Sequence, residues 1–459
     1  MSKQNSPLVL GTERISKLLT QYAIPAIIAM TASSLYNMVD SIFIGHGVGP
    51  LAISGLALTF PLMNLAAAFG SLVGVGAATL VSMRLGQRDY ETAQNILGNV
   101  VVLNLIIGLS FGLVTLLFLD PILYFFGASD ATIGYARDYM TIILLGNVIT
   151  HMYLGLNSVL RASGHPRKSM YATIYTVVIN AALDPLFIYG FGWGIRGAAV
   201  ATILAQVIAL VWQFHILSDK SELLHFRPGI YRLRRKIVRD ILAIGMSPFL
   251  MNLAACFIVI LINKGLKQYG GDLMIGAYGI VNRLAFFFVM IVMGINQGMQ
   301  PIAGYNFGAR QYDRVLRVLR LTVIGATCVT TAGFVIGEFL PRMAVGMFTS
   351  DEELIRLAVE GMRIVFFCFP IIGFQMVATN FFMSIGMAGK AIFLSLSRQL
   401  LFLMPGLIFL PHIFDVCTEW NGSWGVWCSM PLSLRSNSSS SRFAPSVPLN
   451  VFFAISRYL

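Results

Sequence analysis

Two aspartates stand inside strongly apolar stretches of this chain: Asp40 in TQYAIPAIIAMTASSLYNMVDSIFIG (20–45), and Asp184 in INAALDPLFIYGFGWGIRGAAVAT. Asn37 precedes Asp40 by three residues and Asn180 precedes Asp184 by four, so each acid shares a helical face with an amide. The stretch 20–45 exceeds the roughly 20 residues that cross a bilayer as a helix. An ionised carboxylate facing lipid there costs about 3 kcal/mol even on the lenient insertion scale. It must therefore meet a wet cavity, find a partner or hold a proton. That chemistry is reversible cation binding. The cation is H+, or Na+ if amide and hydroxyl oxygens complete a site with the carboxylates. The plain alternative is structural, with each aspartate capping or bridging a neighbouring helix.

Helix breakers accompany both acids. Pro25 removes a backbone hydrogen bond within the first run and lets that helix bend. Pro185 follows Asp184 directly and frees a carbonyl about one turn back, which puts an extra acceptor beside the acid. Asn157 in LGLNSVLRASG and Thr202 in AAVATIL are single polar residues in apolar runs, suited to helix–helix hydrogen bonds or to ligand contact. Arg283 and Arg398 lie within apolar runs of the second half and are expected to turn inward, toward freed carbonyls or a substrate path. Tyr36, beside Asn37, is a further candidate for substrate contact or gating.

The elements that must position these residues are membrane helices. Of 459 residues, 57% are hydrophobic and 11% charged, where soluble domains carry about 25% charged residues. Apolar runs cover 20–45, 52–83, 93–119, 139–162, 169–190, 197–216, 241–266, 274–304, 318–340, 357–386 and 391–412, which makes eleven spans. Only helices or closed barrels satisfy their backbone in lipid, and runs of this length are helical. The net charge of +12 does not point to nucleic acid, because the basic residues fall in short loops between the runs. Alternate loops hold Arg84 and Arg88, Arg161, Arg167 and Lys168, the RLRRK cluster, and Arg310 to Arg320. That set is expected in the cytoplasm together with the N-terminus, giving a multi-pass protein of the cell (inner) membrane whose first helix is its own insertion signal.

The two halves repeat one another. RLGQRDYETAQNIL (84–97) answers NFGARQYDRVLRVL (306–319), with Gly86/Gly308, Arg88/Arg310 and Tyr90/Tyr312 kept at a shift of 222. Pro25 answers Pro248, SDATIGYARDYM answers SDEELIRLAVEGM, and RASGHPRK answers MSIGMAGK, at nearly the same shift. An even number of spans separates the copies, so the expectation is an all-α polytopic protein of two six-helix bundles. A pseudo-twofold axis along the membrane normal would relate them, with a cavity between them. The expected division is an N-lobe at 1–217, a basic linker at 218–239, a C-lobe at 240–432 and an aberrant tail at 433–459. In that tail RSNSSSSRFAPSVPLN replaces the rest of a twelfth helix and is too polar to span. Asp40 falls on Asn263 along the repeat, so cation handling is expected in the first half.

No GxxxxGK[ST], HExxH or GxSxG occurs, and the five cysteines and six histidines are scattered, which argues against an ATP site, a hydrolase or a metal cluster. No cofactor is expected beyond the coupling ion. NMVDSIFIG, RLGQRDYETA, LRASGHPRKSM and NAALDPLFIYGFGWGIRGAAVAT together resemble the multidrug and toxic compound extrusion (MATE) transporters, in their bacterial DinF-like and Mep-type branch. The resemblance covers about residues 10 to 432. It implies twelve helices in two lobes, working as a monomer, that export cationic amphipathic compounds in exchange for H+ or Na+. On it, Asp40 and Asp184 would bind the ion, Asn157, Asn180 and Thr202 would form the polar network around them, and Pro25 would let the first helix bend. The lipid bilayer and small organic cations are then the partners. A flippase for lipid-linked sugars shares the superfamily fold and is the nearest alternative.

Overall fold

The computed structural model describes residues 7–349 and 351–409. The twelfth helix and the tail expected beyond 425 lie outside the described residues, as do the side chains of Tyr36, Asn37, Asn263 and Arg398. Ten of the eleven apolar runs form spans, eight of them unbroken, two of those within one long helix, and two as bent helix pairs. The eleventh begins as Ala388–Leu396 and continues as a π-helix through Leu403.

The first spans are α1 (Ile15–Gly47), α2 (Pro50–Gly86) and α3 (Tyr90–Leu117), followed by the short α4 (Leu119–Phe125). Next, α5 (Ile133–Leu145) and α6 (Asn147–Ala162) meet at 55°. After α7 (Pro166–Pro185) and α8 (Gly194–Leu217) comes α9 (Arg235–Gly308), then α10 (Tyr312–Phe339) and the short α11 (Pro341–Gly346). The second bent pair is α12 (Glu352–Phe367) and α13 (Phe369–Ser384), at 51°, and α14 (Ala388–Leu396) follows. Gly146 separates the first pair, while Pro370 opens α13 without an N–H to give the preceding turn.

The sequence predicts a break between the runs 241–266 and 274–304, but the backbone of α9 is helical across it for 74 residues. A straight helix of that length would reach about 110 Å. Instead both ends return to α2. Ile241 and Gly245 lie against Gly76 and Leu72, and Tyr305 and Gly308 lie against Gly86 and Met83. On α2 those two sites are only about 15 Å apart.

Two compact units emerge. One gathers Ile24–Phe249 and Gly304–Arg310 with the N-terminal segment; the other gathers Arg14–Ala23, Leu250–Ala303 and the chain from Gln311. The repeat is visible residue by residue. α3 and α10 begin and end 222 positions apart, and Arg88 and Arg310 both take a left-handed backbone, at φ 60° and 59°. In the first unit a Cβ on Gly86 would strike the Tyr305 carbonyl, and one on Gly308 would strike the Met83 carbonyl, the same contact with roles exchanged. Gly76 against Gly245 in the first unit has its counterpart in Gly298 against Ala23 in the second. Lipid is as apolar as a side chain, so hydrophobic transfer drives little here. Close backbone approach through small residues supplies the packing.

The connection after α8 is stitched down. Asn99 of α3 donates to the Arg232 carbonyl (3.2 Å) and accepts from the Arg234 N–H (3.0 Å), and Gln94 bonds the His225 carbonyl. Glu222 lies 2.8 Å from the Lys168 ammonium and 3.0 Å from His165 Nε2.

Candidate functional site

The candidate site lies in the first unit, where α1, α7 and α8 supply its polar side chains. Asp184 is fully buried near the end of α7, and Asp40, 5% exposed, stands two turns from the end of α1. Their carboxyl groups come together. Two bare carboxylates so placed repel, so the pair is suited to hold a cation between them. Asp40 Oδ1 and Asp184 Oδ2 are left buried with no hydrogen-bond partner among the described residues. Asn180, one turn before Asp184, donates its amide to Asp184 Oδ1 at 3.2 Å and lies 3.4 Å from Thr202 Oγ1 on α8.

The local sequence explains the placement. Small residues on α8 (Gly197, Ala198, Ala199, Ala201) are buried and let α7 come close enough for Thr202 to meet Asn180. Pro185 cannot donate to the turn before it, and the helix widens at once into a π turn, Leu186–Gly190. Around these groups runs an apolar cluster that includes Ile44, Leu62, Tyr139, Ile188 and Ile195.

Asn157 stands apart from the acids. Its amide donates to Thr173 Oγ1 on α7 at 3.2 Å, and the Tyr153 hydroxyl reaches the same oxygen at 3.5 Å. Thr173 was not singled out in the sequence, although it lies seven residues before Asn180 and so on the same face of α7. Pro25 lies inside α1, as expected, at the second residue of the first unit's share of that helix. Arg283 is exposed on α9.

With this geometry established, the family model MatE matches residues 25–186 and again residues 246–408, once in each copy of the repeat. The chain belongs to the MatE family. Its members are transporters rather than enzymes. The multidrug export protein MepA of Staphylococcus haemolyticus is 29% identical over 417 residues, covering 90% of this chain and 89% of its own length. MepA of Staphylococcus aureus is 28% identical over the same span. Among solved structures, an outward-facing multidrug resistance MATE transporter superposes with a TM-score of 0.88 at 23% identity, covering 100% of this chain and 98% of its own. A MATE transporter in a bent conformation gives 0.89 at 23% identity, covering 99% and 98%. A MOP superfamily transporter from Pyrococcus furiosus, described by a binding pocket of reverse polarity, gives 0.88 at 22% identity, covering 99% of each chain. The MatE chain thus has the two-lobe helical fold of those transporters.

Proposed function

We propose that this MatE protein is a cation-coupled antiporter. In this reading it exports cationic amphipathic compounds by alternating access of two lobes, taken as 1–217 and 240–432, with the linker and N-terminus in the cytoplasm. The observation that carries it is the contact between Asp40 and Asp184 in a buried setting, with Asn180 and Thr202 attached. Two acids sharing one positive charge can release it only by exchange for another cation or by moving apart. Inward-moving H+, or Na+ in its place, would then drive the drug outward. The MepA proteins, multidrug exporters by name, support drugs as the cargo.

The test is dye efflux from vesicles under separately imposed proton and sodium gradients. Asp40→Asn keeps the shape of the side chain and removes its charge. It is expected to insert normally and to lose at least tenfold in efflux under whichever gradient drives the wild type. Export by this variant against the dye gradient at the wild-type rate sinks the assignment. The rival reading, a flippase for lipid-linked sugars, draws on the exposed Arg283 and on the shared fold of the reverse-polarity transporter. Under it neither gradient drives dye export, while a fluorescent lipid-linked sugar changes leaflet.

A further inference from the structure

The segments carrying the two acids meet a second time, one turn further along each. The Tyr189 hydroxyl in the π turn donates to the backbone carbonyl of Phe43 on α1, at 3.2 Å. One turn beyond Phe43, α1 presses on the same π turn at Gly47. A Cβ there would lie 2.5 Å from Ile188 Cγ2 and 2.8 Å from Tyr189 Cε1, so no larger residue fits without displacement. Past the helix end, Val48 packs by the backbone of Gly194, where a Cβ would sit 3.6 Å from Val48 Cγ2. Ile44 and Ile188, both buried, join the two segments from the apolar side.

Asp40 is three residues before Phe43, and Asp184 is five before Tyr189. A helix is stiff over two turns, so whatever holds Phe43 and Gly47 also sets where Asp40 stands against Asp184. A π turn is a strained, rarely used form that recurs at functional sites, and here it turns the tyrosine toward α1. An interfacial tyrosine would also be about half exposed, as Tyr189 is at 49%. Its acceptor makes the difference, because it is the carbonyl of the helix that bears the acid.

We propose that Tyr189 is a positioning residue for the ion site. Its bond to Phe43 latches the end of α1 onto the π turn, keeps Asp40 on Asp184, and opens when α1 moves in the transport cycle. The inference rests on the Asp40–Asp184 reading above. Among the described residues, the titratable groups facing this region are Asp40 and Asp184 within the bundle, and Tyr135 with the Asp138–Arg196 pair (2.8 Å), which line a pocket of about 400 Å³ together with Val48 and Trp193.

The experiment uses the full chain in proteoliposomes. Tyr189→Phe keeps the ring against Gly47 and removes only the donor. One hydrogen bond sets the scale, roughly three- to tenfold. The driving-ion concentration for half-maximal dye efflux is expected to shift by that factor while the KM for dye stays put. Spin labels at the exposed Ser34 of α1 and Leu204 of α8 are expected to show the state with α1 released gaining population by the same factor. Gly47→Ala retains the hydroxyl but forces α1 off the π turn. It is expected to reproduce the shift, and it carries the test alone if Tyr189→Phe fails to insert. Ion dependence within twofold of wild type in both variants, or a change confined to the KM for dye, overturns the latch. Should Asp40→Asn transport like wild type, the ion reading falls first. An unchanged label-distance distribution in Tyr189→Phe then overturns the latch on its own.

Discussion

Outside the continuous passage at 267–273, the two copies of the repeat have nearly the same backbone and different interiors. Their bent pairs turn by 55° and 51° at positions 222 apart, and both place a left-handed arginine after the same glycine. At the bend itself the first copy has Asn147, whose amide donates to the Gly108 carbonyl of α3 at 3.0 Å. The second has Phe369, stacked on Phe366 at 4.3 Å between centroids and set edge-on to Phe288. Asn157 and Thr173 bond across α6 and α7 in the first copy. Their counterparts Thr379 and Ser395 each bond back to their own helix, at 3.1 Å in both cases. Duplication preserved what the backbone needs, namely close approaches, bends and turns. At these paired positions the polar bonds between helices are in the first copy, where the two acids meet, while aromatic rings fill the bend of the second.

If the copies are equivalent as scaffolds, damage at paired backbone positions should be equal. Gly86→Leu and Gly308→Leu each drive a side chain into a carbonyl of the partner helix. Each is expected to lower stability by about 2–3 kcal/mol, read as a drop in the thermal unfolding midpoint in detergent. A loss confined to one member breaks the symmetry argued here.

How much of this was legible beforehand divides along the same line. Spans, repeat and the Asn180–Asp184 pair could be read, because hydropathy, self-similarity and helical spacing are local properties of the sequence. The bond from Asn157 to Thr173 and the latch at Tyr189 could not. Spacing tells which residues share a face of one helix and is silent on which neighbour that face meets. The helical passage through 267–273 was missed for a different reason: LKQYGGDLM carries two glycines and mixed charge, which usually mark a loop.

Paired polar positions should behave unequally. Asn157→Ala removes an interhelical hydrogen bond and leaves Thr173 with one partner fewer, an expected loss of about 0.6–1 kcal/mol. Thr379→Ala removes a bond that stays within one helix and is expected to be neutral within about 0.3 kcal/mol. The same unfolding measurement in one detergent decides this pair, and equal losses would mean that the second copy is not merely filled.

The smallest difference concerns acid, and it too belongs to one copy. His165, at the turn before α7, has Met387 as its counterpart, so only the first copy can respond to protonation there. Burial holds the His165 imidazole below its ordinary value; the Glu222 carboxylate pulls it back up and the Lys168 ammonium presses it down. A histidine lowered in the folded protein binds fewer protons there than it would once released. The stability it contributes is therefore present above the ordinary histidine value, about 6.5, and fades as pH falls from there through the lowered value. Acidification should therefore loosen the strap that Glu222 anchors and leave the turn at 385–387 untouched. Hydrogen exchange over 218–234 is expected to speed up severalfold between pH 7 and pH 5, after correction for the intrinsic rate. Exchange at 385–390 should follow the intrinsic rate alone, and His165→Gln should flatten the first response. Acceleration at both turns would place the acid sensitivity in the shared backbone rather than in His165, which Met387 replaces in the second copy.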